Sequence, residues 1–137
     1  MNRAEFQNLS RTRIKETEAL LDRGLYGGAY YLAGYAVECA LKACIAKLTK
    51  EHDFPDKRVV DKSWTHDLTE LIKVAGLEKE REEKGRRDKE FGLRWGVVKD
   101  WSEDSRYRSV GEKEARQLYA AIIDPVHGVL PWLEQHW

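Results

Sequence analysis

Four aromatic and charged residues, spaced for one face of a helix, are the part of the sequence best suited to chemistry. Tyr31, Tyr35, Glu38 and Lys42 follow one another at offsets of four, three and four residues. At about 3.6 residues per turn, these offsets place all four side chains on one side of a helix. The two rings offer stacking faces, and the carboxylate and ammonium offer opposite charges.

Two interpretations of this stripe stay open. In the first, Glu38 and Lys42 form an exposed i,i+4 ion pair worth roughly a few tenths of a kcal/mol, and the tyrosines lie at the edge of the core. In the second, the stripe lines a groove in which Tyr31 and Tyr35 stack on a ligand and Glu38 anchors a basic partner. For Glu38 we then expect one of three distant partners: His66, Arg106 or Arg108.

His66 is a second candidate group, because it lies between Thr65 and Asp67 at a predicted helix start. A histidine there serves either as a base or as a structural hydrogen-bonding group beside the cap. Asp67 most simply complements the positive end of the helix.

A third candidate group is the tripeptide Arg106, Tyr107 and Arg108. Two guanidinium groups around a ring suit contacts to phosphate and base. The same residues could instead pack their loop onto Glu38 and Trp101.

The stripe belongs to an apolar segment, Ala29–Ala43, that predicts a helix buried on all sides. Its alanines share one side, where a neighbouring helix can approach closely. A carboxylate inside such a helix needs a partner, since an unpaired buried charge is very costly. We therefore expect this helix to be the central element of the fold.

Apolar periodicity and cap residues predict the remaining elements. Helices are expected over Asn2–Arg23, from Tyr26–Ala29 to Lys50, from Ser63 or Thr65 to Gly76, around Phe91–Trp101, and from Gly111 to Pro125. Loops are expected over His52–Ser63 and Asp100–Gly111, and the charged run Glu78–Glu90 is either a solvated helix or a mobile loop. Pro125 and Pro131 should each interrupt a helix.

These elements predict an all-α fold, a single domain over residues 1–137 arranged as an antiparallel up-and-down bundle of four to five helices. Trp95, Trp101, Trp132, Trp137 and Tyr119 offer more aromatic surface than a small bundle easily hides. Part of that surface is expected in a homodimer interface, where aromatic residues are enriched.

Composition narrows the functional classes. The chain has 24 Lys and Arg against 24 Asp and Glu, so its formal net charge of zero argues against nucleic-acid binding by bulk charge. The N-terminal segment lacks the apolar run of a signal peptide, and no segment is long enough to span a bilayer, which predicts a cytoplasmic protein without membrane contact.

The two cysteines, Cys39 and Cys44, point in different directions on one helix and cannot pair with each other. We interpret them as small buried hydrophobic residues in a reducing compartment. Neither their spacing nor that of the histidines fits a metal site, and no cofactor fingerprint is present, so we expect neither a metal nor a cofactor.

The segment from Ala29 to Ala43, together with Thr65-His66-Asp67-Leu68 and the later Arg106-Tyr107, resembles the HEPN domain family. The resemblance extends from about Arg23 to Leu133. It implies a helical bundle similar to nucleotidyltransferase substrate-binding subunits, often dimeric, in a family named for suspected nucleotide binding. Such proteins are frequently encoded beside a minimal nucleotidyltransferase in a toxin–antitoxin-like pair.

Many members of that family are metal-independent ribonucleases with an arginine, four to six residues, and then a histidine on a late helix. None of the four histidines here has an arginine at that upstream distance. We therefore expect a non-catalytic protein that binds a nucleotide, RNA or a partner nucleotidyltransferase. The alternatives are a ribonuclease toxin with an atypical site, built on His66 or His127 and a nearby arginine, and a structural adaptor in which the stripe only packs.

The expected binding residues are drawn from all three groups: Tyr31, Tyr35, Glu38, Lys42, His66, Arg106, Tyr107 and Arg108.

Overall fold

Helix α2 (Tyr26–Leu48) is the element on which most of the others pack, in a computed structural model that describes residues 1–49 and 56–137. Helix α1 (Arg3–Asp22) covers it most extensively, and four helices that follow it in the sequence also contact it. The alanines at positions 29, 33, 36, 40 and 43 have no exposed surface, which confirms the predicted close-packed side.

The described residues form eight α-helices and one 3-10 helix, and they contain no strand. After α1 and α2 come α3 (Lys57–Ser63), α4 (Leu68–Val74), α5 (Glu78–Arg87), α6 (Lys89–Lys99), the 3-10 helix (Glu103–Tyr107), α7 (Glu112–Ile123) and α8 (Val129–Glu134). The all-α prediction is confirmed, whereas a bundle of four to five helices is not, because several short helices occupy segments expected to be loops.

Local capping explains where the boundaries differ from the predictions. The predicted loop over His52–Ser63 was wrong for residues 57–63, which form α3 after Asp56 accepts a hydrogen bond from the Arg58 amide; residues 52–55 lie outside the described residues. Helix α4 begins at Leu68, later than expected, because the Asp67 carboxylate accepts the Thr69 and Glu70 amides and fixes the cap there.

Capping residues and prolines also determine where the later helices begin and end. The charged run forms a helix, α5, and Asp88 then caps α6. The segment expected as a loop over Asp100–Gly111 contains the 3-10 helix, capped by Ser102. Helix α7 ends at Ile123, before Pro125 as expected, but Pro131 does not interrupt α8 because it lies in the first turn, where its missing N–H costs nothing.

The aromatic residues are distributed differently from the prediction. The single chain buries the rings of Trp95, Trp101, Trp132 and Trp137, each at most 8% exposed, because α6, α8 and the core enclose them. These rings therefore leave no excess aromatic surface that would support a homodimer. Trp64, which the sequence reading passed over, is the exposed tryptophan, at 77%.

Both cysteines are buried free thiols, and burial raises the pKa of each to about 12. Neither is therefore a thiolate near neutral pH. Within the described residues, no helix combines the length and apolar character needed to cross a membrane.

Gly34 is required by a close approach between α2 and the segment after α6. A Cβ at this position would lie 2.2 Å from atoms of the Trp101 ring, which is itself only 3% exposed and cannot swing away. The ring therefore lies against the bare backbone of α2, and this contact positions the chain that leads into the 3-10 helix.

We predict that Gly34→Ala destabilises the protein by about 1–3 kcal/mol, because the new methyl group overlaps a buried ring. Gly96→Ala is the matched control, since no atom lies within 4 Å of a Cβ there. The control should stabilise helix α6 by about 0.5–1 kcal/mol. Urea unfolding of the two variants measures both changes, and equal effects would contradict the proposed contact.

Candidate functional site

Glu38 is a buried carboxylate in the middle of α2, only 1% exposed. Its Oε1 atom accepts hydrogen bonds from Lys42 Nζ and His66 Nδ1, both at 2.8 Å. Its Oε2 atom has no hydrogen-bond partner among the described residues. The exposed ion pair considered from the sequence is therefore wrong: the carboxylate is buried, and its charge is compensated from two different elements.

The start of α4 holds His66 in place. Thr65 Oγ1 accepts the Asp67 amide at 3.1 Å, and the Asp67 carboxylate caps the helix. The pKa of Asp67 is lowered mainly by the hydrogen bond from the Thr69 hydroxyl. The hydrogen bonds from the Glu70 and Thr69 amides lower it further. The residue before such a fixed cap has little freedom, so the imidazole is directed toward α2.

His66 also joins α2 to the 3-10 helix. Its Nε2 atom lies 3.2 Å from Glu103 Oε2, and the same oxygen is 3.9 Å from Arg106 Nη1. Lys42, Glu38, His66, Glu103 and Arg106 thus form a continuous series of polar contacts, which we call the Glu38 series.

A cleft of about 410 Å³ lies beside this series, between the start of α4 and the segment after α6. It is lined by Thr65, His66, Asp67, Thr69, Lys99, Asp100, Trp101, Ser102, Glu103 and Asp104. Four of these side chains are carboxylates, while Lys99 and His66 are the only groups that can carry positive charge. The cleft is therefore predominantly acidic.

The two tyrosines of the predicted stripe, Tyr31 and Tyr35, do not line this cleft. The Tyr31 ring lies 6.2 Å from both the Tyr35 and Trp101 rings, centre to centre. Tyr35 lies under the Arg13 guanidinium of α1, at 5.8 Å, and burial raises the pKa of its hydroxyl. Tyr31 thus supports the Trp101 ring, and Tyr35 contacts α1.

The two arginines of the tripeptide at positions 106–108 contact different parts of the protein. Arg106 stacks on the exposed Tyr107 ring at 4.7 Å, and hydrogen bonds with Tyr107 and Tyr31 raise the pKa of its guanidinium. Arg108 instead donates two hydrogen bonds to Glu114 of α7, at 3.1 and 2.6 Å.

The structure thus brings one of the three expected partners, His66, to Glu38. Arg106 reaches it only through Glu103, and Arg108 is held elsewhere by Glu114. A ligand-binding role for the eight predicted residues stays a prediction, as do their individual contributions.

Glu103 is the member of the series that sequence reasoning missed, together with the other acidic residues of the cleft wall. A signal for it was present, because Ser102 followed by Glu103 and Asp104 is typical of a capped helix start. Reading that start would have placed a carboxylate on a rigid turn rather than in a loop.

His127 belongs to a separate cluster. Its Nδ1 atom contacts Asp88 Oδ2 at 2.8 Å, and this hydrogen bond is the main cause of the lowered pKa of Asp88. Arg94 pairs with Asp124, whose carboxylate also accepts the His127 amide. These contacts fasten α6 to the turn between α7 and α8. Across residues 1–49 and 56–137, no group of His, Cys, Asp and Glu is arranged to hold a metal ion.

We predict that Glu38→Gln lowers the free energy of unfolding by about 1–3 kcal/mol, because Lys42 and His66 lose a shared anion in a buried setting. Glu114→Gln is the control, since it breaks an exposed pair and should change stability by less than about 1 kcal/mol. Denaturant titration of both proteins measures the difference. A Glu38 variant as stable as the control would refute this account of the carboxylate.

We predict an acid-dependent contribution from Asp67. Its pKa is lowered in the folded state, so its stabilisation is present above its ordinary pKa of about 3.9 and is lost as pH falls through the folded value. The stability advantage over Asp67→Asn should therefore shrink below about pH 5. Unfolding midpoints at several pH values test this, with Asp61→Asn as the control because its exposed side chain forms no hydrogen bond or ion pair with a described residue. If the unfolding midpoints of the wild type and of Asp67→Asn change with pH in parallel, the prediction is wrong.

Comparison with known families is consistent with this helical arrangement. The family model described as HEPN domain matches residues 8–136, nearly the whole chain. Comparison with curated proteins gives no match, and neither does comparison with solved structures. Because the match extends over far more than half of the sequence, the chain belongs to the HEPN domain family.

Proposed function

We propose that this chain is a non-catalytic HEPN protein that binds a partner protein, a minimal nucleotidyltransferase of a toxin–antitoxin-like pair, through the cleft beside the Glu38 series. The observation that carries the proposal is the acidic cleft itself, which lies between the start of α4 and the segment after α6, where the buried Glu38 carboxylate holds His66. A concave surface with polar groups fixed in place is the usual setting of a binding site.

The surroundings of His66 support binding rather than ribonuclease chemistry. A general base needs a ring nitrogen free to accept a proton. Both nitrogens of His66 lie within 3.2 Å of carboxylate oxygens, those of Glu38 and Glu103. The family's spacing of arginine and histidine is also missing from the sequence.

The charge of the cleft favours a protein over a free nucleotide. Phosphate groups are repelled by Asp100, Glu103 and Asp104, and only Lys99 among the lining residues carries a permanent positive charge. A protein partner can present basic side chains to the same surface.

A nucleotide or RNA is a second candidate ligand, favoured by one observation. Arg106, whose guanidinium lies 3.9 Å from the cleft residue Glu103, stacks on the exposed Tyr107 ring. Such a pair suits a base and its phosphate. The homodimer and the cytoplasmic location also belong to the proposal; the homodimer rests on the family resemblance, and the location on the two buried free thiols, which suit a reducing compartment.

The proposal predicts that the tagged full-length chain recovers a nucleotidyltransferase from cells of its source, identified by mass spectrometry. Asp104→Lys should reduce this recovery severalfold because it reverses charge in the cleft. Glu80→Lys on α5 is the control, since Glu80 is exposed and does not line the cleft.

Three other outcomes would overturn the proposal. Co-purified RNA without a protein partner would favour the second candidate. Cleavage of labelled RNA by the purified chain, abolished by His66→Ala or His127→Ala, would favour the ribonuclease. Equal recovery by both charge-reversed variants would remove the cleft as the binding surface.

A further inference from the structure

We infer that one buried water molecule joins α2 to the 3-10 helix, hydrogen-bonded to Glu38 Oε2, Trp101 Nε1 and Ser105 Oγ. The described part of the chain has four buried side-chain nitrogen and oxygen atoms without a hydrogen-bond partner, and these are three of them. Their residues are each at most 3% exposed. Buried polar groups are rarely left unpaired, because each costs the free energy of removing it from water. The inference concerns how the wall of the cleft is held, and it does not depend on which partner the protein binds.

The geometry of α2 brings the Glu38 carboxylate close to the Trp101 indole. Trp101 Nε1 lies 2.2 Å from the position that a Cβ on Gly34 would occupy. Gly34 precedes Glu38 by four residues, so the two positions are about 5–6 Å apart on one side of the helix. Helical side chains lean toward the N-terminus, which directs the carboxylate toward Gly34 and the indole that covers it. The acceptor and the donor therefore face the same small volume, although no direct hydrogen bond joins them.

The 3-10 helix is fixed to the same side of α2 at two points. Near its start, Glu103 contacts His66, which is hydrogen-bonded to Glu38. Near its end, Arg106 forms a hydrogen bond with Tyr31, which lies on the same stripe of α2 two turns before Glu38. The 3-10 helix therefore extends along α2 from the level of Glu38 back to the level of Tyr31.

Ser105 lies between these two points and is the buried residue of the 3-10 helix. This position places its hydroxyl at the middle of that stretch of α2, where Gly34 leaves room for the Trp101 ring. The hydroxyl has no partner among the described residues, although the 3-10 helix packs directly on α2. All three unpaired atoms thus belong to one contact between α2, the 3-10 helix and the segment that leads into it.

The hydrogen-bonding types of the three atoms identify what can join them. An indole N–H only donates, a carboxylate oxygen only accepts, and a hydroxyl does either. The bridging molecule must therefore accept from Trp101 and donate to Glu38. An ammonium ion cannot accept, and a chloride ion cannot donate and is repelled by the carboxylate. Water meets both requirements, and three hydrogen bonds are the usual number for a buried water.

The test is a pair of NOESY and ROESY spectra of the full chain in water, read at the Trp101 indole proton. Its cross-peaks to the α-protons of Gly34 identify this proton without a variant, because the ring lies on that residue. A long-lived bound water gives cross-peaks of opposite sign in the two spectra, whereas direct proton exchange with solvent gives the same sign. We expect opposite signs at Trp101. The indole proton of Trp64, an exposed ring, is the control in the same spectra and should not show them.

Ser105→Ala separates the bound water from the serine hydroxyl, whose proton exchanges with solvent and can relay the same signal. The water keeps two of its three partners in this variant. The cross-peaks at Trp101 should therefore keep their opposite signs, with intensities within about twofold of those in the wild type. Loss of the cross-peaks in Ser105→Ala would assign them to the hydroxyl and overturn the inference.

A crystal structure of the full chain gives an independent measurement. We expect one water within hydrogen-bond distance of Glu38 Oε2, Trp101 Nε1 and Ser105 Oγ. A direct hydrogen bond from Trp101 to Glu38, with no water between them, would overturn the inference. Cross-peaks of equal sign at the Trp101 indole proton would do the same.

Discussion

Burying the Glu38 carboxylate within the most enclosed helix of the protein is the constraint on which the arrangement of the other elements depends. A charge in such a position is tolerated only when it is paired and hydrogen-bonded. One partner, Lys42, comes from the same helix, and the other, His66, comes from a segment 28 residues further along the chain. The need to compensate one carboxylate therefore fixes α4 relative to α2, and through Glu103 it extends to the 3-10 helix.

Small residues make this arrangement sterically feasible. The alanines of α2 allow α1 to pack closely, and the Ser10 hydroxyl donates to the Ala36 carbonyl across that contact at 2.8 Å. On another side, Gly34 leaves room for the Trp101 ring. Helix α2 thus combines a surface of small residues for close packing with one buried charge, the Glu38 carboxylate.

The parts of this organisation that could be predicted are those encoded locally. Helical periodicity identified α2, and the cost of an isolated carboxylate indicated that Glu38 needs a distant partner, with His66 among three candidates. The choice among them could not be made from sequence, because it depends on Asp67 fixing the start of α4 and on Glu114 holding Arg108 elsewhere. The acidic character of the cleft was also hidden, since Asp67 and Asp104 are 37 positions apart and only the fold brings them together.

The contact between Gly34 and Trp101 has a consequence for how finely the cleft can be adjusted. The wall that carries Asp100, Glu103 and Asp104 rests on an indole ring lying directly on a main chain, with no side chain between them. The distance between that wall and helix α2 is consequently set by the thickness of one aromatic ring. A substitution at Asp100 or Asp104 changes the charge of the wall, whereas a substitution at Gly34 moves the wall itself.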